Sequence, residues 1–324
     1  MHVMHMSLLF SFSILLASVQ LCTLAKDAIC ARLNTICLTN SFSRFLDYPQ
    51  NTGTANSPRQ FLNNPFPKNQ NFWLRGIDFS CASPWNDRYG NFRAGTAISK
   101  RHIVFSKHFP LSPGTRIIFI GEDGGICPSY IEKTRPIDQC DIMIASLTAD
   151  LTPNITPAKI LPHNFDKYIG DGEGLPVVTF NKYEQAALSD LYPISTNKPS
   201  AHMMGQVPHD KRWLSGRLPL EAGDSGNPAF LLIGNQPILL YCVMWSGYGG
   251  GPSILYFREE IQKAMDELCP GHQLKSVDLA HLDFPLGDYS SHEVLQPNEL
   301  SHAKPKCRRK TTESVLDAPA EIYR

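Results

Sequence analysis

A serine framed by glycines between hydrophobic segments is the feature of this sequence best suited to chemistry. It stands in Glu221-Ala222-Gly223-Asp224-Ser225-Gly226-Asn227-Pro228. Glycine tolerates backbone conformations that a side chain forbids and lets a substrate approach closely. Such a loop holds a nucleophile at an exposed point while its own N–H groups converge on one spot, the arrangement that stabilises an oxyanion. A serine hydroxyl is a weak nucleophile alone. It needs a histidine to take its proton and an acid to orient that histidine.

Eleven histidines are available, so context must select among them. The segment from Gly95 to Phe109 reads as strand, tight turn, strand, and then His108 just past the strand end, where an imidazole can face a cleft. His102 falls inside the second strand. An acid is offered by Cys140-Asp141-Ile142-Met143-Ile144-Ala145-Ser146-Leu147, with Asp141 at the head of an apolar run. A carboxylate there is costly unless something compensates its charge, and an imidazolium would. The plain alternative is a loop carboxylate that only precedes a strand. Asp138 is the second candidate acid.

The elements that must position these residues are short. β-type runs include 96–98, 102–105, 116–120, 142–144, 176–180, 228–233, 237–243 and 254–257, with regular structure starting near 72–79. Each is bounded by Gly, Pro, Asn, Asp or Ser, as in an all-β sandwich or barrel. Gly234-Asn235 suits a hairpin turn. One segment predicts a helix, Arg258 to Leu268, where Ile261, Ala264, Met265 and Leu268 fall at helical spacing before Pro270-Gly271.

Taken in order, these motifs resemble the chymotrypsin/trypsin-like serine peptidases. Gly95-Thr96-Ala97-Ile98-Ser99-Lys100-Arg101-His102-Ile103-Val104-Phe105-Ser106-Lys107-His108 is similar to their histidine motif, and His108 occupies the catalytic position. Asp141-Ile142-Met143-Ile144 is similar to their aspartate motif, and Gly223-Asp224-Ser225-Gly226-Asn227-Pro228 to their nucleophile motif. The order His108, Asp141, Ser225 is the family's order. The resemblance covers roughly 72 to 268 and implies two six-stranded antiparallel Greek-key β-barrels with a C-terminal helix. It implies His108, Asp141 and Ser225 as catalytic residues and the Gly223 and Ser225 N–H groups as the oxyanion hole. Asp224 would prop the oxyanion loop by pairing with a cation. Met244, Trp245 and Ser246 would take the substrate backbone by strand addition, Gly249-Gly250-Gly251 would leave the pocket wall open, and Pro219 would lie near the pocket floor. No acid at that floor argues against a preference for Lys or Arg. An α/β-hydrolase elbow is excluded, because position 227 is Asn227 rather than glycine.

Four departures from the family pattern stand out. Phe109 and Glu221 occupy positions where the family has cysteines, so two common disulfides are absent. Ser106-Lys107 replaces a small pair before the histidine. No Ile-Val-Gly-Gly-like terminus occurs near Arg75-Gly76-Ile77-Asp78, so Asp224 is expected to find another partner than a new N-terminus.

Length and composition bound the rest. The 324 residues allow one large or two small domains, and a formal net charge of zero excludes polyanion binding as the main task. An apolar run over 8–19, followed by Thr23-Leu24-Ala25, predicts a cleaved signal peptide over 1–25, with a retained anchor as the alternative. Eight cysteines remain beyond it, an even number consistent with disulfides in an exported chain, against free buried thiols. Residues 26–71 read as an N-terminal arm or pro-segment, 72–269 as the peptidase domain, and 270–324 as a polar tail. No zinc-type spacing or phosphate loop occurs, so no cofactor or metal is expected. The expectation is a secreted serine endopeptidase acting on protein or peptide, with no nucleic acid and no stable membrane insertion after signal cleavage. The alternative is a catalytically inactive homologue that binds a partner.

Overall fold

The computed structural model describes residues 59–62, 67–88, 95–194, 202–206, 220–233, 236–247 and 249–280. The chain is all-β, with two six-stranded antiparallel sheets. The first contains β1 (Trp85–Asn86), β2 (Thr96–Ala97), β3 (His102–Ser106), β4 (Arg116–Ile120), β5 (Ile126–Pro136) and β6 (Ile142–Leu147), in the order β1-β4-β5-β6-β3-β2. The second contains β7 (Pro176–Phe180), β8 (Ala186–Leu191), β9 (His202–Gln206), β10 (Pro228–Ile233), β11 (Gln236–Cys242) and β12 (Gly250–Pro252), in the order β11-β10-β7-β8-β9-β12. Each holds a Greek key, three consecutive strands with a fourth returned beside the outer one.

Both sheets curl until their ends meet. In the first, Ala97 N–H donates to Cys81 O at 2.8 Å and Ser83 N–H to Gly95 O at 3.0 Å, which ties β2 to the segment leading into β1. In the second, Met244 N–H, just past β11, donates to Gly250 O of β12 at 2.8 Å. The result is the double barrel expected from the sequence.

Composition explains which strands are buried. β3, β7 and β10 are rich in Ile, Val, Phe and Leu and are buried along their whole length. β5 instead alternates exposed and buried residues from Ile126 to Ile131, the mark of a strand with one wet face. The main core joins the first barrel to the inward side of the second and includes Phe79, Phe105, Phe119, Phe180 and Phe230. A second cluster, with Leu175, Val177, Leu231 and Leu240, fills the other side of the second sheet.

Among the described residues there are two helices, a single turn α1 (Asp166–Ile169) between the barrels' strands and α2 (Arg258–Leu268) after the last strand. The second has the bounds its periodicity predicts. Its Ile261, Ala264 and Met265 are buried, and it packs on β5 and β6 of the first barrel.

The expected start of regular structure is a run of turns, and one expected strand run is not a strand. Residues 72–79 form consecutive turns, with Arg75 N–H on Phe72 O and Ile77 N–H on Leu74 O, around Gly76 at φ 94°. Their apolar side chains still anchor the core, as Phe79 packs edge-on against Phe180 at 5.0 Å. Residues 254–257 form the helical turn that leads into α2. The Gly234-Asn235 pair lies outside the described residues, although β10 and β11 pair on either side of it with Ile233 opposite Gln236.

The packed body continues past the expected domain bounds at both ends. Gln60 N–H donates to Glu184 O at 2.8 Å, and Arg59 bridges Gln185. Beyond α2, Ile160 N–H donates to Lys275 O at 3.0 Å and Val277 N–H to Ile160 O at 2.9 Å, and Leu274, Val277 and Leu279 are buried. The expected signal at 1–25 and most of the arm and tail lie outside the described residues, as do Cys30, Cys37 and Cys307. Among the described residues no helix is long and apolar enough to cross a membrane.

Disulfides are not formed at the described cysteines. Cys81, Cys127, Cys140, Cys242 and Cys269 are all free thiols, the first four buried. Those four belong to the main core, where they pack as small apolar side chains.

Candidate active site

The antiparallel pairing of β3 with β6 brings the histidine to the acid. Ser106 at the end of β3 lies opposite Ile142 at the start of β6. His108, two residues past one strand end, therefore meets Asp141, one residue before the other begins. Asp141 holds the histidine twice: its Oδ1 accepts the His108 backbone N–H at 2.8 Å, and its Oδ2 lies 2.5 Å from His108 Nδ1. The carboxylate is nearly buried, with 9% of its side chain exposed, while 42% of the His108 side chain is exposed. The imidazole is thus fixed from its inner side and keeps Nε2 for another partner.

The other two candidate groups are elsewhere. His102 is completely buried in β3, and Ser99 Oγ sits 2.9 Å from its Nδ1. Asp138 is exposed in the turn before β6.

The serine arrives from the second barrel. Ser225 lies in the loop before β10, half-buried, between Gly223 at φ 99° and Gly226 at φ 88°. The Val243 carbonyl links its loop to the histidine. Ser106 Oγ, two residues before His108, donates to Val243 O at 3.1 Å, and Gly226 N–H, one residue after Ser225, donates to the same oxygen at 2.8 Å. Val243 N–H in turn donates to Asn227 O at 2.8 Å. These bonds bring the three candidate residues to the seam between the barrels. Within that arrangement, Ser225 Oγ and His108 Nε2 are not hydrogen-bonded to each other.

The nucleophile loop turns back on itself. Asp224 N–H donates to Glu221 O at 3.1 Å, and Asn227 N–H to Asp224 O at 3.2 Å. The N–H groups of Gly223 and Ser225 have no acceptor among the described residues, so two donors remain for a ligand.

Asp224 has a partner of a different kind from the cation expected for it. Its carboxylate, only 2% exposed, accepts the backbone N–H of Lys182 at Oδ1 and that of Glu221 at Oδ2, both at 2.6 Å. Burial pushes its carboxyl above the ordinary value, and these two donors oppose that push. In the uncut chain the Ile77 N–H is bonded to Leu74 O at 3.1 Å, and the Asp224 carboxylate is held by the two backbone amides.

Of the residues expected to take a substrate backbone, Met244 is half-buried and Trp245 and Ser246 are exposed, as is the neighbouring Gly247. Gly247 exchanges two backbone bonds with Leu220, at 3.0 and 3.1 Å. The backbone of Ser246 makes no bond among the described residues, which leaves an edge that an extended chain could join. The expected openness of Gly249-Gly250-Gly251 is not found. A Cβ on Gly250 would lie 2.6 Å from the Trp245 ring, and one on Gly251 would lie 2.1 Å from Cys242 O. These glycines allow close packing of chain on chain rather than an open wall. Pro219 lies outside the described residues.

Sequence reasoning missed Ser106, Val243 and Lys182. Ser106 was noted only as a departure within the histidine motif, and Val243 and Lys182 carry no motif; each acts through a backbone or side-chain contact that only the fold creates. Among the described residues no cluster of His, Cys, Asp and Glu is arranged to hold a metal ion. In comparisons with known proteins, no family model matches the chain and no curated protein is significantly similar to it.

Proposed function

We propose that this chain is a serine endopeptidase working through Ser225, His108 and Asp141. The observation that supports the reading is the double grip of Asp141 on His108 through its backbone N–H and Nδ1, which leaves Nε2 without a protein partner among the described residues. In the proposed reaction Ser225 Oγ attacks the scissile carbonyl carbon as His108 Nε2 takes its proton. Asp141 keeps the Nδ1–H tautomer and supports the imidazolium, and the N–H groups of Gly223 and Ser225 hold the oxyanion. His108 then gives the proton to the leaving amine, which departs and leaves an acyl-enzyme. Water attacks that ester with His108 again as base, and Ser225 is released with the carboxylic acid product. The substrate backbone would lie along Met244-Trp245-Ser246, with Pro219 near the pocket floor and no preference for Arg or Lys.

Export belongs to this reading on the strength of the apolar run over 8–19. The free thiols are compatible with it. Burial pushes the Cys242 thiol up to about 12 and Cys81 further, so both stay protonated and inert.

The second reading is a catalytically inactive homologue that uses the same surface to bind a partner. The missing bond between Ser225 Oγ and His108 Nε2 favours it, although that bond is often loose before substrate arrives. A fluorophosphonate that labels serine nucleophiles separates the two. Labelling of the wild type, its loss in Ser225→Ala, and a kcat lower by about 10⁴ in Asp141→Asn are expected. A wild type that is not labelled and cleaves no unfolded protein rules out the peptidase.

A further inference from the structure

We infer that Lys182 is a positioning residue that sets the Ala222–Gly223 peptide plane and so aims the Gly223 N–H at the oxyanion. This inference rests on the peptidase reading and goes beyond it. Lys182 comes from the turn between β7 and β8, and no motif singles it out. It touches four consecutive residues of the nucleophile loop. Its backbone N–H donates to Asp224 Oδ1 at 2.6 Å. Its ammonium donates to Ala222 O at 3.1 Å and lies 3.6 Å from Glu221 Oε2. Its aliphatic stem covers Gly223, where an added Cβ would come within 3.3 Å of Lys182 Cδ.

The contact on Ala222 O is the decisive one. The Ala222 carbonyl and the Gly223 N–H belong to a single planar, trans peptide unit, so they point in opposite directions. A donor that holds the carbonyl on one side directs the N–H to the other. Gly223 has φ 99°, a conformation open to glycine, so rotation of this peptide is a low-cost alternative that needs restraint. Lys182 supplies the restraint from one side, and the buried Asp224 carboxylate supplies it from beneath.

The turn that presents Lys182 is itself rigid. Asn181 Oδ1 accepts the N–H groups of Tyr183 and Gln185 at 2.9 and 3.0 Å, and Asn181 Nδ2 donates to Gln185 Oε1 at 2.9 Å. On its outer side Gln60 N–H holds Glu184 O at 2.8 Å. Support therefore runs from the segment at 59–60 through the turn to the loop, within an uncut chain. The oxyanion donors are assembled without a new N-terminus at Ile77, whose N–H bonds Leu74 O at 3.1 Å.

The test compares Lys182→Met, which keeps the stem and removes the ammonium, with Lys182→Arg. Kinetics on a peptide substrate are normalised to active sites titrated with a fluorophosphonate. Oxyanion stabilisation acts in the transition state, so Lys182→Met should lower kcat at least about tenfold with little change in KM. Lys182→Arg should return kcat to within about threefold of the wild type. The mass of the labelled wild type should include the residues before Arg75. A wild type that is labelled, with Lys182→Met equal to it in kcat, overturns the inference and leaves the peptidase reading standing. So does a labelled species that always begins at Ile77. Absence of labelling in the wild type overturns both. A loss in Lys182→Met confined to folded yield, with kcat per titrated site intact, makes Lys182 merely structural and also overturns it.

Discussion

His102 should make the protein lose stability on mild acidification, and the loss can be worked from its surroundings. The side chain is completely buried in β3, with Ser99 Oγ at 2.9 Å and the His272 ring at 5.3 Å. Desolvation is the main cause that depresses its pKa to about 4, helped by His272 and Arg101 and opposed by the Met265 backbone and Asp266. The unfolded chain accepts that proton near pH 6.5. Between these two values the unfolded state binds a proton that the folded state refuses, so stability falls as pH falls. The contribution is intact above about pH 7.5 and is lost progressively towards pH 4. At pH 4.5 the deficit is about 2.5 kcal/mol, from a shift worth about 1.36 kcal/mol per pH unit. For a domain of this size that is a fall of about 5–10 °C in Tm. The assay is thermal melting of wild type and His102→Phe from pH 7.5 to 4.5. The variant lacks the titrating group, so its Tm should fall less steeply by that margin. Parallel slopes for the two proteins would refute the reasoning. The same variant, where folded, should still be labelled at Ser225, because the proposed base is His108.

Two further outcomes test the packing. Gly251→Ala should cost about 3 kcal/mol or more and give little folded protein, because its Cβ would meet the Cys242 backbone at 2.1 Å and backbone cannot move aside as a side chain can; a normal melting temperature would contradict this. Alkylation of denatured, unreduced protein followed by mass mapping should modify Cys81, Cys127, Cys140, Cys242 and Cys269, and a disulfide at any of them would contradict the free thiols seen here.

The candidate site was legible in the sequence wherever function is encoded by contiguous residue types. Gly223-Asp224-Ser225-Gly226 states its own need for positive φ and an exposed hydroxyl, and His108 and Asp141 announce themselves by standing at the ends of apolar runs. Helix α2 was equally legible, because one helix face repeats every three to four residues and needs no distant partner to be recognised. Strands β4 and β7 are dense in β-branched and aromatic residues and β10 in apolar ones, and their bounds followed directly. The apolar residues at 72–79 marked where the packed body starts but not the form it takes: burial selects Phe72, Trp73 and Phe79, and turns around Gly76 bury them. β12, only Gly250–Pro252, carries no strand signal because its identity is set by how closely Cys242 approaches it.

What tertiary structure alone decided is which distant groups share a partner. The sequence by itself determined the candidate residue types and their order, since those depend on local chemistry. It did not determine that Ser106 and Gly226 would hold one carbonyl of Val243 between the barrels, or that two amides would satisfy Asp224. Nor did it show that the ammonium of Lys182 would fall on Ala222 O, since hydrogen bonds between residues about 40 to 137 positions apart follow from strand register and barrel closure, which many sequences share and no short motif records.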